Sequence, residues 1–164
     1  MGITFNADEI FEMAEQIERN GAEFYRRAAQ KTADKKTKQM FLNMAAMEDG
    51  HLEKFEQMRK ELTTRETEPT IFDPDNQAIM YLKTMAASHG YEGRISPQEE
   101  FTGTETMKDI LRTAINSEKE SVVFYTGLKE IVPPKAGRDR VEEIIKEELS
   151  HITTLAGHLN ALNG

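Results

Sequence analysis

Residues 48–51 read Glu-Asp-Gly-His and residues 148–151 read Glu-Leu-Ser-His, so a Glu-x-x-His motif recurs after 100 positions. The same offset pairs three further positions without a gap: Glu18 with Glu118, Phe24 with Phe124 and Tyr25 with Tyr125. A constant offset over this distance indicates two units built on one plan. The chain of 164 residues therefore contains an internal repeat that preserves the spacing of its acidic, imidazole and aromatic side chains.

Apolar residues recur at spacings of three and four in long segments, a pattern typical of amphipathic helices. The pattern predicts four helices, at about 7–31, 34–62, 105–132 and 138–162. Local signals agree with these bounds. Asn6 with Glu9 reads as a capping box, and Thr102 and Thr104 are candidate caps of the third helix. Pro133-Pro134 ends that helix, because proline disfavours a helical conformation in the residue before it.

The connection 63–104 is long enough to cross from one end of a bundle to the other. A helix of 25 residues is about 37 Å long, so such a crossover makes the second and third helices parallel. Asp73-Pro74 predicts the start of a short extra helix at 76–86, and residues 96–99 read as a capped turn. The predicted fold is therefore all-α: a four-helix bundle with one long crossover, forming a single domain over residues 1–164.

Each predicted helix carries a glutamate inside its apolar stripe, near mid-length. The stripes of the second and fourth helices run on to Leu62 and Leu162. Four carboxylates facing one core would repel each other, and burying an ion costs several kcal/mol. No Lys or Arg lies in the stripes near these positions. Two divalent cations would neutralise the four negative charges.

The spacing of the polar residues fits metal ligation. Residues i and i+3 point in similar directions on a helix, so the Glu and His of each motif can reach one point. One Glu from each of two helices, with Glu-x-x-His from each of the other two, is the ligand pattern of di-iron and di-manganese carboxylate bundles. The predicted metal ligands are Glu18, Glu48, His51, Glu118, Glu148 and His151. Carboxylate with one imidazole per metal favours two iron ions, with manganese or zinc as substitutes.

Residues near the ligands receive separate interpretations. Tyr25 and Tyr125 lie seven residues after Glu18 and Glu118, almost in phase, and we expect them to donate hydrogen bonds to ligand carboxylates. We expect three acidic neighbours to be surface charges, namely Asp49, Glu120 and Glu147. The alternative to a metal site is a metal-free bundle whose polar core groups satisfy one another.

Composition excludes several other classes of site and partner. The chain has no cysteine, so disulfides, thiolate zinc sites and iron–sulfur clusters are excluded. A formal net charge of -8 argues against nucleic acid or an anionic membrane as a partner. No apolar run is long enough to span a bilayer. Residues 1–5 show no basic region followed by an apolar run, so we expect no secretory signal and a cytoplasmic location.

With these motifs in view, the chain resembles the rubrerythrin-like branch of the ferritin-like superfamily. The matching segments cover all four helices: residues 18–25, 48–51, 118–125 and 148–151. Two features differ from classical rubrerythrin. That protein carries a Cys-rich rubredoxin domain, and this chain has no cysteine. It also uses an additional glutamate three residues after the third-helix ligand, where this chain has Ser121. The site is thereby more symmetric, closer to the bacterioferritin pattern.

The resemblance implies a di-iron oxidoreductase that reacts with hydrogen peroxide or dioxygen. It also implies a homodimer and an external electron donor such as a rubredoxin. Two alternatives stay open at this point. One is a ferroxidase or iron-storage protein of bacterioferritin type, and the other is a structural bundle with a vestigial metal site.

Overall fold

The computed structural model describes residues 7–61, 80, 101–132, 134 and 137–164. The helices are α1 (Ala7–Lys31), α2 (Lys35–Lys60), α3 (Met107–Ile131) and α4 (Arg138–Ala161). These bounds confirm the predicted helices to within two residues at each end. The described residues contain no strand, as expected for an all-α fold. No helix among them is long and apolar enough to cross a membrane.

The helices pack as two pairs, α1 with α2 and α3 with α4. Contacts across the bundle fix their directions. Tyr25 bonds to Glu118 while Tyr125 bonds to Glu18, so α1 and α3 run in opposite directions. Helix α2 also runs against α1, since only residues 32–34 separate them and Arg59 at the end of α2 reaches Asp8. Helices α2 and α3 are therefore parallel, as the long crossover requires.

Most of the predicted crossover helix and the capped turn at 96–99 lie outside the described residues. Within 76–86 the structure describes Met80 alone, which is helical and exposed. The proposed cap Asn6 and the stripe residue Leu62 lie outside as well.

The caps explain where α2 and α3 begin. Asp34 accepts a hydrogen bond from the Thr37 amide at 2.8 Å and caps α2. Thr106 caps α3 through a capping box with Asp109. The prediction that Thr102 or Thr104 caps this helix was wrong. The Thr102 hydroxyl and amide instead bond to Glu105, which forms a separate turn before the helix starts.

Two apolar clusters fill the bundle interior, one toward each end. The first includes Phe11, Phe55 and Leu128, and the second includes Phe41, Leu111 and Leu155. Helix periodicity predicted these positions. The prediction that Leu162 continues the apolar stripe was wrong. Leu162 is 45% exposed, because it follows the last residue of α4, Ala161.

Gly137 begins α4 in the left-handed region, with φ 103°. A Cβ there would also lie 2.8 Å from Met58 Cε, at the flexible end of that side chain. We expect Gly137→Ala to destabilise the protein by about 1–2 kcal/mol, since L-residues are strained at this φ. Urea unfolding measures the change.

Gly157→Ala is the matched control for that substitution. Gly157 lies inside α4, and apart from its neighbours in the same helix no described atom is within 4 Å of the place where its Cβ would lie, so alanine should stabilise by about 0.5–1 kcal/mol. Equal shifts of the same sign in the two variants would contradict the role given to the backbone at Gly137.

Candidate metal centre

All six predicted ligands lie inside the bundle, between the two apolar clusters. Each is at most 4% exposed: Glu18, Glu48, His51, Glu118, Glu148 and His151. The reason is local, because each glutamate and histidine occupies the inward face of its helix between apolar neighbours one turn away. Helices α1 and α3 each contribute one glutamate, and α2 and α4 each contribute a glutamate and a histidine.

The six side chains form two overlapping groups. One consists of Glu18, Glu48, His51 and Glu148, and the other of Glu48, Glu118, Glu148 and His151. Within each group, one potential ligand atom per residue lies within 4.8 Å of all the others. Glu48 and Glu148 belong to both groups. The arrangement therefore offers two adjacent cation positions with two carboxylates between them.

Both histidines turn the same ring nitrogen toward the carboxylates. His51 Nδ1 lies 3.0 Å from Glu148 Oε1 and 3.4 Å from Glu18 Oε2. His151 Nδ1 lies 3.1 Å from Glu148 Oε2 and 3.4 Å from Glu118 Oε1. The two Nε2 atoms point away from the centre, toward other partners. An imidazole can ligate a metal through one nitrogen while the other nitrogen bonds to a partner.

Tyr25 and Tyr125 cross the bundle to the opposite half of the repeat. Tyr25 donates its hydroxyl hydrogen bond to Glu118, and Tyr125 donates to Glu18. This is the bonding expected from their spacing after the glutamates. Burial, followed by the nearby carboxylates, raises the pKa of both phenols well above its ordinary value. The tyrosines therefore stay protonated and act as hydrogen-bond donors.

Protons balance the charge of this core without a metal. Burial and repulsion by neighbouring carboxylates raise the pKa of Glu18 and Glu118 well above the usual range. Burial opposes ionisation of Glu48 too, but the nearby His151 and His51 rings outweigh it and lower the Glu48 pKa. Burial likewise opposes charging of His151, but its bonds to Glu118, Glu148 and Glu48 raise its pKa to about 12.

The remaining two groups follow the same pattern. Burial lowers the pKa of His51, but the close approach of the Glu148 and Glu18 carboxylates reverses the effect, and the net shift is upward. Burial and the charge of Glu48 raise the pKa of Glu148, yet its bonds to Glu118 and the histidines lower it overall. In the metal-free centre these directions favour protonated histidines, ionised Glu48 and Glu148, and protonated Glu18 and Glu118. Protonation is therefore a second way to balance the buried charge, besides the two cations considered from the sequence.

The donor set fits divalent metal ions. Among the residues that the structure describes, four fully buried side-chain atoms lack a hydrogen-bond partner: Glu18 Oε2, Glu48 Oε1, His51 Nδ1 and Glu148 Oε1. Buried polar atoms normally have a partner, and a role in binding an ion is one reason for an exception. All four belong to the first group of ligands, and two belong to both. Carboxylate oxygen and imidazole nitrogen are the donors that iron and manganese accept.

A small cavity of about 10 Å³ adjoins the centre, with room for about one water molecule. Its lining includes the carboxylates of Glu48 and Glu118 together with Gly21, Ser117 and Ser121. Gly21 and Ser121 occupy equivalent positions in the two halves of the repeat. A Cβ on Gly21 would lie 3.5 Å from the Glu48 carboxylate, so the glycine widens the space beside that ligand.

Sequence reasoning missed one residue of the centre. Glu147 was expected to be a surface charge, but its Oε2 lies 2.6 Å from His51 Nε2. Lys54 binds the other oxygen of Glu147 at 2.9 Å. The expectation was correct for Asp49, which pairs with Arg26 on the outside of the bundle. Periodicity placed Glu147 beside the stripe, and only the packing of α2 against α4 brings it to His51.

Comparison with known proteins agrees with this centre. The family model described as Rubrerythrin matches residues 9–159. The chain belongs to the rubrerythrin family. Among curated proteins, none matches it. A solved structure provisionally described as a ferritin-like diiron-carboxylate protein, from Thermotoga maritima, is 22% identical with a TM-score of 0.72. The alignment covers 98% of each chain, and at this identity the likeness shows the fold.

Proposed function

We propose that this rubrerythrin-family protein is a di-iron oxidoreductase that reduces hydrogen peroxide or reacts with dioxygen. The observation that carries the proposal is the sharing of Glu48 and Glu148 between two ligand groups. Shared carboxylates would keep two metal ions side by side. When bound, two ferrous ions supply the two electrons that, with two protons, convert one peroxide molecule into two waters.

The surrounding residues support this chemistry in three ways. The six ligands hold the ions, while Tyr25 and Tyr125 keep Glu118 and Glu18 oriented toward them. Packed apolar side chains above and below exclude bulk water. The cavity lined by Ser121, Glu48 and Glu118 leaves room for about one water-sized molecule beside the carboxylates.

The electrons must then be replaced from outside the centre. The chain contains no cysteine that could hold an iron–sulfur donor. We propose an external protein donor, such as a rubredoxin, and a cytoplasmic homodimer as the working form. Nucleic acid is not proposed as a partner, given the net charge of -8.

Peroxide is expected to oxidise the ferrous protein faster than air does, with one peroxide consumed for each two ferrous ions. Stopped-flow absorbance of anaerobically loaded protein measures both the rate and the stoichiometry. Absence of a peroxide reaction in protein shown to contain two iron ions would remove the oxidoreductase proposal. Protein that binds no iron from supplemented medium would instead support the structural bundle.

One observation favours the second candidate, a ferroxidase of bacterioferritin type. The position three residues after Glu118 is Ser121, which lines the cavity and leaves the site with four glutamates and two histidines. Gel filtration separates the candidates. A dimer argues against storage, whereas a large shell that accumulates ferric mineral supports it.

A further inference from the structure

The outward-facing nitrogens of the two histidines meet different chemical groups. His51 Nε2 lies 2.6 Å from Glu147 Oε2, whereas His151 Nε2 lies 3.4 Å from Met47 Sδ. Met47 and Glu147 are separated by 100 residues, so they are equivalent positions of the repeat. The two halves match at all six ligands and differ at the residue behind each histidine.

A second difference reinforces the first. Lys54 Nζ lies 2.9 Å from Glu147 Oε1, so the carboxylate is held on both oxygens by side chains of α2. The residue equivalent to Lys54 is Thr154, which is exposed. The carboxylate and lysine on the His51 side thus have no counterpart at the same repeat positions on the His151 side.

These partners differ in what they do to an imidazole. A carboxylate only accepts, so His51 donates its Nε2 proton to Glu147, and Nδ1 is the nitrogen that would bind a metal ion once its own proton is released. The bond also fixes the ring orientation and strengthens Nδ1 as a ligand. A thioether sulfur is a weak acceptor, so Met47 does much less to orient the His151 ring or to strengthen its Nδ1 as a ligand.

We propose that the two metal positions are inequivalent, and that Glu147 is the positioning residue that makes them so. The position formed by Glu18, Glu48, His51 and Glu148 fills first with a divalent transition-metal ion. The position that contains His151 fills second, at metal concentrations about 10–100 times higher, the usual effect of such outer partners. This inference rests on the proposed di-metal function. It adds that the affinity of the second position determines what fraction of the protein holds both ions.

The test is anaerobic titration with Co²⁺, followed by calorimetry and visible absorbance. The unaltered protein should bind two ions in two resolved steps. Glu147→Met should weaken the first step about 10–100-fold and bring the steps together. Met47→Glu should tighten the second step by a similar factor. A purely structural role for residue 47 would not produce this gain.

The imidazole N–H protons give a spectroscopic readout of which position fills. Bound Co²⁺ shifts the exchangeable N–H signal of its own histidine far from the normal proton range. One shifted signal should appear in the first step and a second in the next, and His51→Ala should remove the first. The combined exchange Met47→Glu with Glu147→Met should reverse the order.

Glu143→Met is the control for loss of one charge from α4, since Glu143 is exposed one turn before Glu147. It should leave both steps unchanged. Two equal steps in the unaltered protein, or no response to either substitution at 47 and 147, would overturn the inference while leaving the di-metal centre. Failure to bind Co²⁺ at all would remove the centre and the inference together. Metal-free thermal unfolding shows whether each variant is folded.

Discussion

Affinity for divalent metal should rise with pH, by up to about 100-fold per metal ion for each pH unit, because each ion displaces two protons. Each metal position contains one imidazolium and one neutral carboxylic acid in the metal-free protein. They are His51 with Glu18 in one position and His151 with Glu118 in the other, all with raised pKa values. Metal titrations in buffers of different ionisation enthalpy count the released protons.

The same protons make the stability of the metal-free protein fall as pH rises, whereas metal affinity rises. The His151 pKa rises from 6.5 to about 12 on folding, so the folded chain keeps a proton that the unfolded chain releases above pH 6.5. Its contribution is fully present below pH 6.5 and is lost as pH rises, by at most about 1.4 kcal/mol per unit. The raised pKa values of His51, Glu18 and Glu118 act in the same direction.

Acid lowers the stability of the metal-free protein by protonating the other two carboxylates, Glu48 and Glu148. The pKa values of Glu48 and Glu148 are lowered from 4.5, so their contribution is present above pH 4.5 and lost below it. The raised pKa values of Glu18 and Glu118 already lower stability as pH rises above 4.5, so metal-free protein should be most stable near pH 4.5 and less stable on either side. Thermal unfolding in a chelating buffer measures this. Stability that rises from pH 6 to 8, or metal binding without proton release, would contradict the proton balance of the centre.

The fold could be read from the sequence because several local signals agree. Apolar spacing and the proline pair each indicate a helix bound independently of the other. The repeat then identified the candidate ligands, because residues 100 positions apart occupy equivalent places in the two halves of the bundle. Tyr25 and Tyr125 followed from helical phase alone.

What the sequence could not show depends on contacts between helices. Thr102, Thr104 and Thr106 are all acceptable caps by residue type, and only the capping box with Asp109 decides between them. Glu147 lies one position before a ligand and one step off the inward face of α4. Whether it reaches His51 or water depends on how α2 and α4 pack, which periodicity does not specify. Comparing Met47 with Glu147 across the repeat was the available signal.

Replacing both shared carboxylates, Glu48→Gln with Glu148→Gln, should abolish binding of two metal ions. Each ligand group would lose two of its four members and keep one glutamate and one histidine. Outer partners of metal ligands are worth about 10–100-fold in affinity, so losing two direct ligands should cost each position on the order of 1000-fold. The amide keeps the volume of the side chain. Elemental analysis and Co²⁺ titration measure the loss.

The matched control is Glu18→Gln with Glu118→Gln, which removes two buried carboxylates by the same isosteric change. These glutamates belong to one group each, so every position loses a single ligand. Two ions should still bind, each about 10–100-fold more weakly. If the two double variants lose affinity equally, Glu48 and Glu148 are not shared between the ions. The adjacent placement that two-electron chemistry requires would then have no support, because separated ions could each deliver one electron only.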